Sequence, residues 1–336
     1  MNRRTFSTLG LAATFAPLPS QPHAQPVSHE KVGYQIAAIN DGLLTSQFGG
    51  RATANRAVDH DTLFQVASCS KTVTSLAVMT LVRDGRLELD APVNPYLTRW
   101  QLPGRRGDKA TIAELMSHTA GTSVHGFEGY GPSEDLPQLV EILGGWRPAN
   151  SAAVRARPRM FTHFRYSGGG TMVLQALIED VTREPFSVYT KRTVLDPVGA
   201  SAASFAISPK TAYAHGVYES GAPVEGGFKR HPESAAAGLW ATASDLAKIL
   251  QAVLKSVRRR KQAILPYELA ARMVTPVSRQ SGLGIFVDPG RVIWHEGRNH
   301  GFDAIMAADL TSGRVRAAVA NRNGALERYA KGLLPQ

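Results

Sequence analysis

The sequence predicts an α+β fold: an antiparallel sheet flanked by helices, with an all-helical lobe inserted between two strand-forming regions. Three observations predict it. Apolar residues alternate in the strand period near the start, at 34–39 and 43–48. The same pattern returns near the end, at 283–287, 292–294, 304–309 and 316–320. Between them, apolar residues recur at helical spacing. A sheet built from both ends of the chain follows, with an α/β lobe over about 30–66 and 205–336 and a helical lobe over about 67–204. The 336 residues are 43% hydrophobic, enough for a large core. Charged residues, at 19%, are too few for a disordered chain.

Residues 1–24 read as an export signal. Arg3-Arg4-Thr5-Phe6 precedes a short apolar run, Leu9 to Phe15, then prolines and Ala24, where cleavage is expected. The paired arginines are of the twin-arginine type, which predicts a periplasmic or secreted protein comprising residues 25–336. The apolar run is too short to span a bilayer, and no later stretch is long enough.

Tyr34 to Ile39 and Leu43 to Phe48 are joined by Asn40-Asp41-Gly42, a hairpin signal. Gly49 to Asp61 reads as a loop, and Leu63 to Ala67 as a strand-like run. Val73, Leu76, Ala77, Leu81 and Val82 mark a helix that ends at Asp84-Gly85. Thr111-Ile112-Ala113-Glu114 is a capping box, and so is Thr242-Ala243-Ser244-Asp245, which opens a helix to Lys255. Helices are also expected over Leu136–Leu143, Met172–Val181, Phe186–Val194 and Tyr329–Leu334.

The chemistry gathers first at Ser68 and Lys71. If the helix starts near Ser68, residues three apart share a face, and the lysine amine can reach the serine hydroxyl. That puts a nucleophile beside a base at a helix mouth, where free N–H groups favour negative charge. A lysine pressed among apolar neighbours has the lowered pKa a base needs. Cys69 is the single cysteine, so there is no internal disulfide and no thiolate metal cluster. It reads as a buried filler rather than a rival nucleophile.

Two further stretches stand out. Tyr166-Ser167-Gly168 sits on a turn before a helix and can present a phenol to a cleft. His295-Glu296-Gly297-Arg298-Asn299-His300 follows a strand. Its histidines are five apart on a glycine-containing stretch, so metal binding is rejected. There is no Gly-x-Ser-x-Gly elbow, no dinucleotide fingerprint and no phosphate loop, and no cofactor is expected. The formal charge is +11, yet the densest basic cluster, Lys255 to Lys261, lacks interleaved aromatics. It reads as a solvated helix end, and no nucleic-acid partner is expected. His118, His125, His163, His215 and His231 are assigned to loop or lobe packing, and His300 to the rim of a pocket.

Ser68-x-x-Lys71, Tyr166-Ser167-Gly168 and His295-Glu296-Gly297 fall in that order along the chain. With Leu115 to Gly121 and Ala237 to Leu246, they give a sequence that resembles the serine β-lactamase and penicillin-binding-protein superfamily. It is most similar to the branch holding class C β-lactamases, D-alanyl-D-alanine carboxypeptidases, D-aminopeptidases and family VIII-like carboxylesterases. The resemblance covers nearly all of the chain after the signal.

It implies a two-lobed fold and an acyl-enzyme on Ser68, with Lys71 and Tyr166 handling the proton. Which of the two is the base stays open. It also implies an oxyanion hole from the amides of Ser68 and Arg298, and a substrate-binding or electrostatic role for His295 beside Gly297. The substrate would be a small ester, peptide or β-lactam. Two departures matter. Gly168 stands where many β-lactamases carry Asn, and His295-Glu296 where they carry Lys-Thr. Both favour an esterase or peptidase over a dedicated β-lactamase. The alternatives are a non-catalytic relative that holds penicillins or cell-wall peptides, or a true class C-like β-lactamase.

Overall fold

The computed structural model describes residues 32–157, 163–206 and 212–333. The export-signal segment, and residues 161–162 before the tyrosine turn, lie outside the described residues.

The chain opens with the expected hairpin, β1 (Tyr34–Asn40) and β2 (Leu43–Gly49). Its turn places Asp41 and Gly42 at φ 50° and 83°, the conformation that matches the twist of paired strands. The stretch expected as a loop instead holds a short ribbon, β3 (Arg51–Thr53) and β4 (Arg56–Ala57). The reason is remote in sequence. Asn321 accepts from Gly33 N–H at 2.7 Å and donates to Arg51 O at 2.9 Å, fixing the ribbon's start. β5 (Phe64–Gln65) is shorter than the strand-like run that predicted it.

α1 (Ser70–Arg83) follows a 3-10 turn at Ala67–Cys69. It is buried along its length from Ser70 to Leu81, so it is the central helix of the molecule. α2 (Ile112–Met116) carries the expected capping box on Thr111 and Glu114. α3 (Leu139–Gly144) and α4 (Gly168–Thr182) follow. α4 begins earlier than predicted because the Ser167 hydroxyl accepts from Gly170 N–H. α5 (Phe186–Thr190) continues as a π turn to Leu195.

After α6 (Ser234–Ala237), β6 (Trp240–Ala241) pairs antiparallel with β5. α7 (Ala243–Val257) carries the second capping box, and α8 (Tyr267–Met273) follows. β7 (Phe286–Val287), β8 (Val292–Asn299), β9 (Phe302–Asp309) and β10 (Val315–Ala320) complete the main sheet, and α9 (Glu327–Leu333) closes the described chain.

The six-stranded antiparallel sheet runs β2-β1-β10-β9-β8-β7, so first and last strands pair as the sequence pattern required. α7 packs on one face, its first turn pinned where Ala243 N–H donates to Gln35 Oε1 at 3.0 Å. Ile305, Ala318, Ala320 and Leu326 form a second apolar cluster, with Tyr34 and Ile36 packed against it. No helix among the described residues is long and apolar enough to cross a membrane.

Candidate active site

The site lies where the start of α1 meets α6, β8 and the loops before α4. A cavity of about 760 Å³ opens there, lined by Ser68, Lys71, Tyr166, His295, Glu296 and aromatic walls from Phe127, Phe164, Phe286 and Trp294.

Ala67 turns the chain from β5 into α1. Its φ of 46° lies in the left-handed region, which costs an alanine roughly 1 kcal/mol. The turn leaves Ser68 partly exposed at the cavity floor while its neighbours are buried. Lys71 Nζ lies 3.0 Å from Ser68 Oγ and donates to the Ala236 carbonyl at 2.7 Å. Burial pushes the amine down to about 7. At neutral pH a large share of it is uncharged and carries a lone pair.

The Tyr166 phenol interacts with the Ser68 side chain. Burial, opposed by that interaction, still raises it well above the ordinary value, so it stays protonated. Lys71 Nζ stands 5.0 Å from the centre of its ring. The structure therefore brings together all three side chains that the sequence singled out for nucleophile and proton transfer.

His295 is buried on β8. Its Nδ1 lies 2.6 Å from the Glu296 carbonyl oxygen, to which it donates as the Nδ1–H tautomer. Burial, aided by the nearby Lys71, pushes it down to about 3. It is neutral at physiological pH and offers no positive charge to a carboxylate. Glu296 is exposed in the cavity.

β8 runs on past Trp294 to Asn299, five residues beyond its predicted end. Gly297 explains how. A Cβ built there overlaps the Val66 carbonyl oxygen and falls 2.9 Å from Ser68 N. Only a bare backbone lets β8 lie against the turn that presents the serine. The Arg298 side chain swings to Asp303, Nε to Oδ1 at 3.2 Å, and the residue lines the cavity. Asn299, which the sequence did not single out, ties the strand end to Gln65 Oε1 at 2.9 Å and Ala237 O at 3.2 Å.

Cys69 is fully buried, its thiol pushed up by burial and placed 3.7 Å from the His295 carbonyl. It packs beside the nucleophile without facing the cavity. His163 and His215 are exposed, and His231 lies 3.7 Å from Glu233 in a buried pair. His300 pairs with Glu128 at 3.0 Å and is not among the lining residues. Two histidines overturn the packing assignment. His118 and His125 have ring centres 4.5 and 5.1 Å from that of Tyr166. Chain position alone gave no hint of this, because loops bring them in. Among the described residues no group of three His, Cys, Asp or Glu side chains could hold a metal ion.

Comparison with known proteins gives the family and the fold. The family described as Beta-lactamase matches residues 11–333. The chain is 25% identical over 276 residues to the putative penicillin-binding protein PbpX of Bacillus subtilis, covering 78% of this chain and 64% of that protein. It is 30% identical over 154 residues to esterase EstB of Burkholderia gladioli, covering 44% and 39%. It thus spans less than two thirds of the length of these curated relatives. The D-amino acid amidase of Ochrobactrum anthropi superposes with a TM-score of 0.72 at 21% identity, over 87% of this chain and 86% of that one. With a family match along almost its entire length, the chain belongs to the β-lactamase family.

Proposed function

We propose that the protein is an exported serine hydrolase that cleaves an ester or amide bond through an acyl-enzyme on Ser68. The observation that carries the reading is the Lys71 amine, 3.0 Å from the Ser68 hydroxyl and tuned to about 7. A base poised near the working pH combines a large deprotonated fraction with useful basicity.

Lys71 takes the Ser68 proton as Oγ attacks the carbonyl carbon. Tyr166, held protonated, passes its proton to the leaving group and is refilled from Lys71. Water then enters, and the same groups reverse the transfer to free the acid. Backbone amides of Ser68 and Arg298 serve the oxyanion, and the close approach of Gly297 to Ser68 N supports that pairing. Between Lys71 and Tyr166, the lowered amine and the raised phenol favour Lys71 as base.

The cavity supports an uncharged or cationic acyl group over a carboxylate-bearing one. Its walls are aromatic, His295 is neutral, and Glu296 is an exposed carboxylate. Carboxylesterase or amidase and peptidase activity therefore ranks above β-lactam hydrolysis. Glu296→Gln is expected to lower KM about threefold to tenfold for substrates with a free carboxylate, and less for neutral esters, as removal of one solvent-screened repulsion should. Parallel kinetics on a charged and a neutral ester check this. A uniform change would deny Glu296 any part in charge selection.

The central test compares wild type with Ser68→Ala on short-chain p-nitrophenyl esters and nitrocefin, with intact mass after brief exposure. Wild type should turn over esters and carry an acyl adduct on Ser68. The variant should lose at least about a thousandfold in rate. A variant that keeps its activity removes Ser68 as nucleophile. A penicillin adduct that never leaves, with no ester turnover, would favour the non-catalytic reading.

A further inference from the structure

We propose that His118 is the positioning residue for Tyr166, holding the phenol at Ser68 with its main chain and its imidazole together. The inference rests on the Ser68 acyl-enzyme reading above.

Tyr166 is not carried by a helix or a strand. It lies on irregular chain just before α4, where no ladder of backbone hydrogen bonds fixes its direction. His118 supplies what is missing. Its backbone sits in the left-handed region, φ 60°, just past the end of α2. From there its carbonyl accepts from Arg165 N–H at 2.9 Å. Its Nδ1 accepts from Ser167 N–H at 3.2 Å. These are the two residues flanking Tyr166, so one side residue grips the peptide on both sides of the phenol-bearing position. Between the two bonds, the His118 ring lies along the tyrosine ring, centres 4.5 Å apart and planes 38° apart. His125 at 5.1 Å and Phe286, stacked at 6.3 Å, bound the tyrosine further.

The charge state fits the task. Burial, and after it the neighbouring Lys71, His295 and His125, disfavour a proton on the His118 imidazole and keep it neutral. A neutral ring keeps a lone pair on Nδ1 for Ser167, and the proton then resides on Nε2. A protonated ring would lose that acceptor and set a second positive charge beside Lys71. The left-handed turn at His118 is what carries its carbonyl to Arg165.

The experiment is a double-mutant cycle on p-nitrophenyl ester hydrolysis, with folding followed by circular dichroism. His118→Ala should lower kcat about a hundredfold with KM changed less than about threefold, as expected for a misplaced proton-transfer group. In a Tyr166→Phe background the same substitution should cost less than about threefold, because its target is already gone. His118→Asn keeps a side-chain acceptor near the Nδ1 position and tolerates positive φ, so it should stay within about tenfold of wild type. His118→Gln sets its acceptor one methylene too far and should fall with the alanine variant. An equal loss in both backgrounds overturns the proposal, as does unchanged kcat in His118→Ala. Should that variant fail to fold, the Asn and Gln pair decides, and equal activities overturn it. Ser68→Ala separates the two claims. If it retains activity, the acyl-enzyme reading falls and this inference with it. If it is inactive and the cycle fails, the positioning role alone falls.

Discussion

Lys71→Met is expected to lower kcat by about three to four orders of magnitude while raising the melting temperature by a few degrees. The loss follows from removing the group 3.0 Å from Ser68 Oγ. The gain follows from the same burial that makes the amine useful. Moving a lysine from 10.5 to about 7 corresponds to roughly 4–5 kcal/mol against its charged form. Methionine escapes that penalty but leaves the Ala236 carbonyl without its donor, which returns about 1–3 kcal/mol. A net gain on the order of 1–4 kcal/mol remains.

The sign of the pH dependence is fixed. The unfolded chain holds a proton on Lys71 that the folded chain has lost between about 7 and 10.5, so wild-type stability rises with pH through that window. The penalty is full below about 7 and gone above 10.5, and the advantage of the methionine variant should shrink accordingly. Activity should share the lower limit. Wild-type kcat/KM should fall tenfold per pH unit below about 7, as the base fills with protons. Thermal melts and initial rates from pH 5 to pH 11 read both. A methionine variant that loses stability at neutral pH would show that Lys71 is a structural ion rather than a depressed base.

Gly297→Ala is expected to cost about 3 kcal/mol in stability and at least about a hundredfold in kcat. The added methyl meets the Val66 carbonyl oxygen and Ser68 N, both main-chain atoms that cannot rotate aside. Either β8 or the turn carrying Ser68 must give way. Any opening separates the two amides proposed for the oxyanion, where donors act only over a narrow range of distances. Urea unfolding and steady-state kinetics on one neutral ester measure the two effects together. Wild-type stability with wild-type kcat would show that strand and turn are not pressed together.

The parts of this site that were legible in the sequence are those set by local geometry. Ser68 and Lys71 meet because helical spacing alone brings them together, and both capping boxes appeared as written. The hairpin at Asp41-Gly42 is equally local. What escaped was set at a distance. Glu296, Gly297 and Arg298 break a strand pattern, yet pairing with Ile305, Ala304 and Asp303 of β9 carries β8 through them. Gly168-Gly169-Gly170 reads as loop, since each glycine costs a helix about 1 kcal/mol. Those residues open α4 under the Ser167 cap, and they are glycine because a Cβ on Gly169 would come within 2.5 Å of Ser123 O and one on Gly170 within 2.6 Å of Thr122 Oγ1. His118 and His125 look like any loop histidines until the chain folds them onto Tyr166. Only the resemblance carried by Leu115 to Gly121 drew any notice to that neighbourhood.

The pairing of Tyr34 with Ala320 sets a timetable for biosynthesis. The opening hairpin leaves the ribosome long before its neighbour has been translated, by roughly half a minute at ordinary elongation rates. Until then the edge of β1 that β10 will cover has unpaired backbone groups. The sheet can close only after the last strand has been made, so the order of synthesis and the order of pairing run in opposite senses.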